Sequence, residues 1–377
     1  MARARCPDKY YCPLATYKGV RILGLFPTLT TQVGGIQASG QVAWAGISDG
    51  GYRTIHRELG NASFCLYERG EQCREGARGG EMISAASKLG AVIGALRRRW
   101  PVHLVLVWHL SLSKLLPFFR VKDAKVVLFL HGIEAWKAQN RLVRTLLRRV
   151  DLFVSNSNYT WQHFLSFNPG FKEARHRTVH LGIGSPVDTP IPTPAHSPAV
   201  LMISRLLRSE NYKGHREMIA AWPHVLKRVS DAELWIAGDG DLRQDLEEIA
   251  RASGLDDRVR FWGQVSESEK QDLLMRCRCL ALPSRGEGFG LVYLEAMRLG
   301  RPCLVSTLDA GCEVVKPPEA GLAADPRDPR ALAEPICRLL TAGPEWNNWS
   351  LQARRRYESR FTAEQFQRRL LAALLET

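Results

Sequence analysis

Short apolar runs alternate with amphipathic stretches along most of the chain of 377 residues. Six apolar runs in the first half have the length of a strand: 20–26, 63–67, 102–108, 126–131, 152–155 and 178–181. Between them, residues 81–98 and 137–149 have the spacing of apolar positions that is typical of helices. Continuous apolar strands that alternate with helices predict βαβ units and a parallel sheet covered on both faces.

A proline-rich stretch, GSPVDTPIPTPAHSP at 184–198, interrupts this alternation. Its five prolines and its lack of periodicity predict an extended linker. After it, strands are predicted at 200–204, 233–238, 259–263, 279–283 and 302–306, and helices at 214–228, 241–253, 267–276 and 290–299. The second half is therefore expected to be another doubly wound parallel-sheet domain.

The chain is too long for one ordinary core, so the pattern predicts an α/β protein of two domains. We expect an N-terminal domain over residues 1–185 and a C-terminal domain over residues 199–350, joined by the linker at 186–198. The segment 351–377 has helical spacing and is expected to pack across both domains. Two such domains place their ligand-binding crevices at the carboxyl ends of their strands, facing each other across a cleft.

The composition is that of a folded protein, with 45% hydrophobic and 24% charged residues. The longest apolar runs are far shorter than the roughly 20 residues that a membrane helix needs, and the N-terminus lacks the apolar segment of a secretory signal. We therefore expect a cytoplasmic protein. The nine cysteines include no CxxC pair, which predicts reduced thiols and no metal site.

The net charge of +14 lies entirely in the first half, because residues 1–190 hold 26 Lys and Arg against 12 Asp and Glu. This asymmetry predicts an acidic partner for the first half. A nucleic-acid-binding module is one alternative, but the sequence contains no recognition motif and no exposed aromatic platform, so we expect no nucleic-acid partner.

Three basic stretches carry much of this charge: 97–100, 114–125 and 141–149. The stretch 114–125 mixes four apolar residues with four basic ones: Leu115, Leu116, Phe118, Phe119, Lys114, Arg120, Lys122 and Lys125. Such a mixture suits an anionic membrane surface and predicts a protein bound peripherally at the inner face of a membrane. The competing interpretation is that these apolar residues face the core of their own domain.

Two loops that follow predicted strands in the first half carry candidate ligand-binding residues. Gly34 and Gly35 precede a helical pattern, where glycines let the backbone approach a ligand and a helix N-terminus offers free N–H groups to an anion. A tight turn would need the same residues. His131 ends another strand, and this position predicts a side chain that donates a hydrogen bond into the cleft.

Two cations follow the predicted strand at 200–204. Arg205 lies just past this strand, and Lys213 precedes the next helix. Two cations that converge at a helix N-terminus can hold a diphosphate without a metal ion, whereas the alternative is solvated surface charge.

The stretch SRGEGFGLVYLEAMRLG at 284–300 contains two glutamates in unusual places. Glu287 lies in a glycine-rich loop, and Glu295 lies among apolar residues of the helix that follows. The backbone N–H groups of Phe289, Gly290 and Leu291 are expected to be free in the first turn of that helix. A carboxylate that is partly buried needs a polar partner, so one glutamate could hold a sugar and the other a ribose.

Glu287, Glu295 and the intervening GFGLVYL resemble the E-x7-E signature of retaining GT-B glycosyltransferases, particularly those of family 4. These enzymes move a sugar from a nucleotide diphosphate to an acceptor. The resemblance extends through VGGIQ, HGIEAW, ISRLL with YKGH, IAGDGDL, VRFWGQV and LPSRGEGFGLVYLEAMRLGRPCLVS. It implies the GT-B fold, in which two Rossmann-like, doubly wound parallel-sheet domains face a cleft. Residues 1–18 lie outside it and form an extension of unknown role.

The resemblance also implies roles for individual residues. Gly35 would bring its N–H to the donor phosphate, and Arg205 and Lys213 would neutralise the diphosphate leaving group. Glu287 would contact the transferred sugar, and Glu295 would bind the ribose hydroxyls. The other implied donor contacts are a hydrogen bond from His131, the backbone N–H groups of Phe289, Gly290 and Leu291, and the loop residues Gln264 and Val265 beside the base.

The chain departs from the family pattern at two points. Arg205 and Lys213 stand eight positions apart where many members show five, so three residues are inserted between them. DAGCEVV at 309–315 replaces the commoner pair of glycines, which leaves Glu313 a weak candidate.

The implied activity is transfer of a hexose with retention of configuration, in the synthesis of cell-envelope polysaccharide, lipopolysaccharide or glycolipid. The partners would be a nucleotide-sugar donor and a lipid-linked or glycan acceptor, and no metal or other cofactor is expected. The leaving diphosphate would itself accept the acceptor's proton, whereas a double displacement through Glu287 is the alternative. A nucleotide-sugar epimerase or phosphorylase of the same fold is the rival function.

Overall fold

The computed structural model describes residues 20–29, 34–48, 62–65, 81–84, 87–97, 100–121, 123–195 and 197–377. The predicted extension at 1–18 lies outside these ranges, as do Arg98 and Arg99 of the first basic stretch and Lys122 of the second. Within them, the chain forms one parallel sheet of seven strands and another of six.

The first sheet has the strand order β3-β2-β1-β4-β5-β6-β7, and every neighbouring pair is parallel. Its strands are β1 (Ile22–Phe26), β2 (Ala62–Cys65), β3 (Glu81–Ser84), β4 (Leu104–Val107), β5 (Lys125–Leu130), β6 (Leu152–Ser155) and β7 (His176–Thr178). The helices of this half are α1 (Gly35–Ser48), α2 (Lys88–Arg97), α3 (Arg141–Leu147) and α4 (Asn158–Phe167), with 3-10 turns at Leu110–Phe118 and Pro169–Phe171. The apolar strands lie inside, as the pattern predicted, and Leu23, Leu106 and Phe129 are fully buried.

The second sheet has the order β10-β9-β8-β11-β12-β13, again with parallel pairs throughout. Its strands are β8 (Ala199–Ile203), β9 (Glu233–Ala237), β10 (Val259–Gly263), β11 (Cys279–Leu282), β12 (Cys303–Ser306) and β13 (Gly321–Ala324). The helices that follow are α5 (His215–Leu226), α6 (Arg243–Ala252), α7 (Glu267–Arg276), α8 (Leu291–Arg298), α9 (Gly311–Val315), α10 (Pro329–Leu340), α11 (Pro344–Arg360) and α12 (Ala363–Leu375), and a 3-10 turn spans Arg208–Lys213.

In both sheets the strand order reverses beside the first strand of the domain, between β1 and β4 and between β8 and β11. Ligands of open parallel sheets bind at such a reversal, beyond the carboxyl ends of the strands. The loops after β1 and β8 are the ones that carry Gly35 and Arg205.

The prediction of one helix over 81–98 is wrong, because this stretch contains both β3 and α2. Residues 81–84 pair with β2 along its full length, and sheet pairing outweighs the local helical spacing. Helix α2 begins after Ser87, whose hydroxyl accepts the Gly90 N–H at 3.1 Å and so marks the start of the helix.

The apolar residues of the stretch 114–125 turn inward. Leu115, Leu116 and Phe119 are buried in a core cluster that lies behind the first sheet, while Lys114 and Arg120 are exposed. The expectation that these apolar side chains lie on a membrane is therefore corrected, because they complete the core of their own domain. No helix in the described ranges has the length and apolar character that crossing a membrane requires.

The proline-rich stretch is anchored to the second half of the chain. The fully buried Arg301 donates to the Pro192 carbonyl at 2.6 Å, and Arg354 donates to the Val187 carbonyl at 2.8 Å. The proline-rich stretch therefore has an extended backbone without regular pairing, and buried guanidinium groups donate hydrogen bonds to its carbonyls.

The chain crosses between the two halves a second time, after α11, and the two crossings run side by side. Ile183 N–H donates to the Phe361 carbonyl at 3.0 Å, and Ala363 N–H donates to the Gly184 carbonyl at 2.8 Å. A side chain at Gly182 would place its Cβ 2.3 Å from the Thr362 carbonyl oxygen, so only glycine allows this approach. Beyond the crossing, α12 packs against α1 of the first half.

Candidate active site

Two helix N-termini, one from each half of the chain, meet in the cleft. Gly35 begins α1 and Leu291 begins α8, and a Cβ on Gly35 would lie 3.4 Å from Leu291 Cδ1. Among the described residues, no hydrogen bond uses the backbone N–H of Phe289, Gly290 or Leu291. Free N–H groups and the positive ends of two helix dipoles favour an anion at this point.

Gly290 sets the entry into α8. Its backbone is left-handed, with φ of 82°, and a Cβ here would lie 2.4 Å from Tyr293 Cε2. The Tyr293 ring is fixed in turn, because its hydroxyl donates to the Leu282 carbonyl at 2.8 Å. The glycine-rich loop is therefore held in one conformation by a buried tyrosine rather than left free.

Lys213 and Glu287, which are 74 residues apart in the chain, form an ion pair with 2.6 Å between Nζ and Oε2. Their side chains are only 15% and 16% exposed. Burial alone would lower the pKa of Lys213, but Glu287, through its charge and its hydrogen bond, acts together with Tyr212 and Glu210 to hold this pKa above its ordinary value. The structure thus brings together Lys213, which is predicted to bind the phosphates, and Glu287, which is predicted to contact the sugar.

Arg205 follows β8, as predicted, and pairs with the Glu210 carboxylate from the 3-10 turn at Arg208–Lys213. The Arg205 side chain is 64% exposed, whereas the Glu210 side chain is 14% exposed. Sequence reasoning did not single out Glu210, although it lies within the longer spacing between Arg205 and Lys213.

Glu295 has a protein partner that the sequence did not reveal. Lys270 on α7 approaches it with 3.0 Å between Nζ and Oε1. Burial raises the pKa of Glu295 above its ordinary value, although Lys270 opposes this shift. The expectation that a ribose is what meets this carboxylate is therefore incomplete, because in the structure the carboxylate already neutralises Lys270.

His131 lies at the end of β5, but it does not present a free N–H to the cleft. Its ring is buried, and Nε2 lies 2.6 Å from the Trp108 carbonyl oxygen, so Nε2 is the protonated nitrogen. Burial lowers the pKa of His131 to about 4, which keeps the ring neutral near pH 7. The expected hydrogen bond from this side chain is corrected, because the remaining nitrogen, Nδ1, is an acceptor in that tautomer.

The glycine-rich loop packs directly against the first half of the chain. A Cβ on Gly288 would lie 2.2 Å from the His131 carbonyl oxygen, so the two backbones are in contact. The hydroxyls of Ser157, which caps α4, and of Thr160 on α4 donate to the Gly288 carbonyl at 2.8 and 3.3 Å. Neither hydroxyl was predicted, although the polar run SNSNYT directly follows a strand and was a detectable signal.

Glu313, a weak candidate from the sequence, connects the two halves. Its carboxylate accepts the backbone N–H groups of Asn158 and Tyr159 at 2.8 and 2.6 Å, at the N-terminus of α4. Burial would raise the pKa of Glu313, but these N–H donors and His180 lower it overall. The position suits a carboxylate, because it meets the positive end of a helix.

Asp309 supports the loop from behind and was also missed. It accepts the Gly311 N–H at 2.8 Å and the Glu287 N–H at 3.4 Å. Burial raises the pKa of Asp309 to about 8, although its N–H donors oppose the shift. This side chain holds the backbone that presents Glu287, and it carries little charge near pH 7.

Gln264 and Val265 follow β10, next to the capping residue Ser266 of α7. Gln264 is exposed, whereas Val265 is half-buried against the core. The loop adjoins the carboxyl end of β9, because Gly238 N–H donates to the Gly263 carbonyl at 2.8 Å.

The described ranges contain no cluster of three or more His, Cys, Asp or Glu side chains that could hold a metal ion.

Residues 197–342 match the family of glycosyl transferases group 1. This segment contains β8 to β13 and most of the cleft residues described above. The second half of the chain is therefore similar to glycosyltransferases of group 1. The predicted resemblance to family 4 glycosyltransferases is thereby confirmed.

Two relatives show how far the similarity extends. The GDP-mannose-dependent alpha-(1-6)-phosphatidylinositol monomannoside mannosyltransferase of Mycobacterium tuberculosis is 28% identical over 270 residues, which are 62% of this chain and 68% of that protein. The alpha-D-kanosaminyltransferase of Streptomyces kanamyceticus is 32% identical over 143 residues, which are 38% of this chain and 36% of that protein.

Solved structures match nearly the whole chain. A glycosyltransferase from Rickettsia africae superposes with a TM-score of 0.72 at 17% identity, over 96% of this chain and 99% of that one. Anabaena HepE in complex with UDP and glucose superposes with a TM-score of 0.71 at 18% identity, over 95% of this chain and 100% of that one. The predicted GT-B fold, with two parallel-sheet α/β domains, is confirmed.

Proposed function

We propose that this glycosyltransferase moves a hexose from a nucleotide-diphosphate sugar to a lipid-linked or glycan acceptor, with retention of the anomeric configuration. The observation that carries the proposal is the meeting of α1 and α8 at Gly35 and Leu291, beside the cations Arg205 and Lys213. Two helix N-termini and two cations match the charge of a diphosphate. The UDP and glucose bound by Anabaena HepE, a protein of the same fold, support a donor of this class.

The rest of the cleft can be assigned from this point. Glu287 would contact the transferred sugar, and Glu295 would accept the ribose hydroxyls alongside Lys270. The loop of Gln264 and Val265, beyond β10, would border the base. His131 would accept a sugar hydroxyl through Nδ1, because Nε2 already donates to Trp108.

In the proposed reaction, the acceptor oxygen bonds to the anomeric carbon while the bond from that carbon to the phosphate oxygen breaks. The departing phosphate takes the acceptor's proton on the same face, so configuration is retained. Arg205, Lys213 and the helix N-termini stabilise the negative charge that develops on the diphosphate, a contribution that is often the largest in such reactions. Glu287 is a poor nucleophile for the rival double displacement, because its carboxylate is neutralised by Lys213.

The acceptor side lies in the basic first half of the chain. Two of its helices expose apolar side chains beside arginines: α2 exposes Leu89 and Ile93 next to Arg97, and α3 exposes Leu142 next to Arg141. Leu89 is 71% exposed and Leu142 is 65% exposed. We propose that these side chains, rather than the buried ones of 114–125, rest on an anionic membrane and give access to a lipid-linked acceptor. The lipid-directed relative from Mycobacterium tuberculosis supports this class of acceptor.

The deciding experiment incubates the purified protein with panels of UDP-sugars and GDP-sugars and follows the released sugar by proton NMR. We expect hydrolysis of one donor, with the freed sugar first appearing in the anomeric form of that donor, and with EDTA having little effect. Inversion of the anomeric form would contradict the retaining mechanism. Loss of all activity on chelation would contradict a metal-independent one.

A further inference from the structure

Glu210 is an acidic group at the proposed phosphate site that the proposed reaction does not use. It lies in the 3-10 turn between Arg205 and Lys213, and its own φ of −113° and ψ of 23° depart from helical values. Its backbone N–H donates to the Leu207 carbonyl at 2.8 Å, which fixes this conformation. The turn therefore directs the carboxylate back to Arg205, where the two side chains form an ion pair.

This ion pair occupies donors that a diphosphate would need. A guanidinium recognises phosphate through the same N–H groups with which it binds a carboxylate. Lys213 is already paired with Glu287, so both cations proposed to bind the diphosphate, Arg205 and Lys213, have a carboxylate partner in the free protein. The charge of Glu210 also acts on Lys213 and on Tyr212, whose ring lies 5.3 Å from Lys213 Nζ. A phosphate that enters must therefore displace Glu210 from Arg205 or share Arg205 with it.

We propose that Glu210 is a built-in competitor of the donor diphosphate, which lowers affinity for the donor and for the nucleoside diphosphate that is left after transfer. This inference rests on the proposed function. The turn supplies an anion that takes the place of the leaving group whenever the site is empty. The exchange at Arg205 thereby speeds release of the product from these cations after the sugar has been transferred.

A supporting role for Glu210 in phosphate binding predicts the opposite change in affinity. If Glu210 served to orient Arg205 toward the phosphate, its removal would weaken phosphate binding. Since Arg205 is 64% exposed, the pair is partly screened by solvent and the expected change is modest, about three- to tenfold in the dissociation constant. The sign of the change separates the two roles.

The test compares Glu210→Gln and Glu210→Ala with the wild-type protein by titration calorimetry, using UDP, GDP and inorganic pyrophosphate. We expect tighter binding in both variants, for whichever nucleotide the wild type binds and for pyrophosphate. Product inhibition by the same nucleotide should strengthen by the same factor. The matched control is Asp245→Asn on α6, which removes the ion pairs of Asp245 with Arg208 of this turn at 2.6 Å and with Arg216 at 3.2 Å, and should leave affinity unchanged.

Affinity that is unchanged or weaker in both Glu210 variants, with the control behaving as wild type, overturns the inference and leaves the proposed function standing. Equal tightening in Asp245→Asn also overturns it, because the effect would then be general to loss of acidic charge. Absence of binding by the wild type, with both nucleotides and with pyrophosphate, contradicts the proposed function and this inference with it.

Discussion

Lys213 Nζ lies 2.6 Å from Glu287 Oε2, so a cation proposed for the diphosphate and a carboxylate proposed for the sugar neutralise each other in the free protein. Both groups are largely buried, and each would be left as an isolated charge without the other. The donor therefore enters a site whose charges are already balanced, and it must rearrange this pair.

Replacing Lys213 should lower turnover strongly, because the variant loses a preorganised charge and leaves Glu287 to repel the phosphates. We expect Lys213→Ala to lower kcat/KM by about 100-fold, or ~3 kcal/mol of transition-state stabilisation. Lys316→Ala is the control, because it removes a lysine that is paired with Glu319 at 2.9 Å and exposed at the surface. Full activity in Lys213→Ala would show that this residue does not bind the diphosphate.

The two glutamates of the E-x7-E stretch should separate by assay. Glu295→Ala is expected to weaken binding of the free nucleoside diphosphate by about tenfold, because its proposed ligand is the ribose. Glu287→Ala should lower kcat while nucleotide affinity stays at or above the wild-type value, since Lys213 is released. Titration calorimetry measures both affinities, and equal losses in the two variants would mean that the roles are wrongly divided.

Stability should depend on pH through three histidines. Burial lowers the pKa of His131, His176 and His215 to about 4 in the folded state, below the value of about 6.5 for an exposed histidine. The unfolded state then binds more protons at these three groups between pH 4 and 6.5, so their contribution to the free energy of unfolding is full above pH 6.5 and falls as the pH drops toward 4.

Urea unfolding across this pH range measures the effect. Each unit of pKa difference corresponds to about 1.4 kcal/mol, so the three histidines together favour unfolding by several kcal/mol toward pH 4. Asp309, with its pKa raised to about 8, has the opposite slope and offsets part of this loss, so the comparison of variant with wild type isolates the histidine contribution. His215→Asn, at a residue that bonds Ser204 Oγ at 3.0 Å, should show a shallower decline. A decline as steep as that of the wild type would mean that His215 does not titrate in this way.

The exposed apolar residues of α2 and α3 should govern membrane association. We expect the protein to co-sediment with liposomes that contain anionic lipid, and salt should weaken the binding. Leu89→Ser combined with Leu142→Ser should reduce binding, whereas Leu351→Ser, an exposed leucine on α11, should not. If the protein stays in the supernatant at every lipid composition, the membrane proposal is wrong, and a soluble anionic acceptor becomes the alternative.

The local pattern of hydrophobic residues was sufficient to predict most of the strands and the loops that follow them. β1, β4, β5, β6 and the strands β8 to β12 each overlap their predicted positions, and most of them are continuous apolar runs. β10 is an exception, because it contains the exposed Arg260. β13 was not predicted, because Gly321–Ala324 is built from glycine, leucine and alanine without β-branched residues. β3 was hidden for another reason, since its pairing with β2 is a tertiary contact.

Partners across the chain could not be predicted. Lys270 is 25 residues from Glu295 on a different helix, and Glu313 is 155 residues from Asn158. A single sequence contains no sign of such pairs, because each depends on how two elements dock. The sequence therefore located the candidate carboxylates, and only the structure supplied the groups that neutralise them.

The paired crossings at Ile183–Phe361 and Gly184–Ala363 have a mechanical consequence. One flexible connection would let the domains twist, slide and swing, but two strands bonded to each other form a ribbon that bends easily in one direction only. Gly182 lets the two segments lie this close, because any Cβ there would lie 2.3 Å from the Thr362 carbonyl oxygen. We therefore expect any opening of the cleft to bend at these paired crossings, as at a hinge. Such a hinge would return Gly35 to Leu291 in the same alignment at each closure of the cleft.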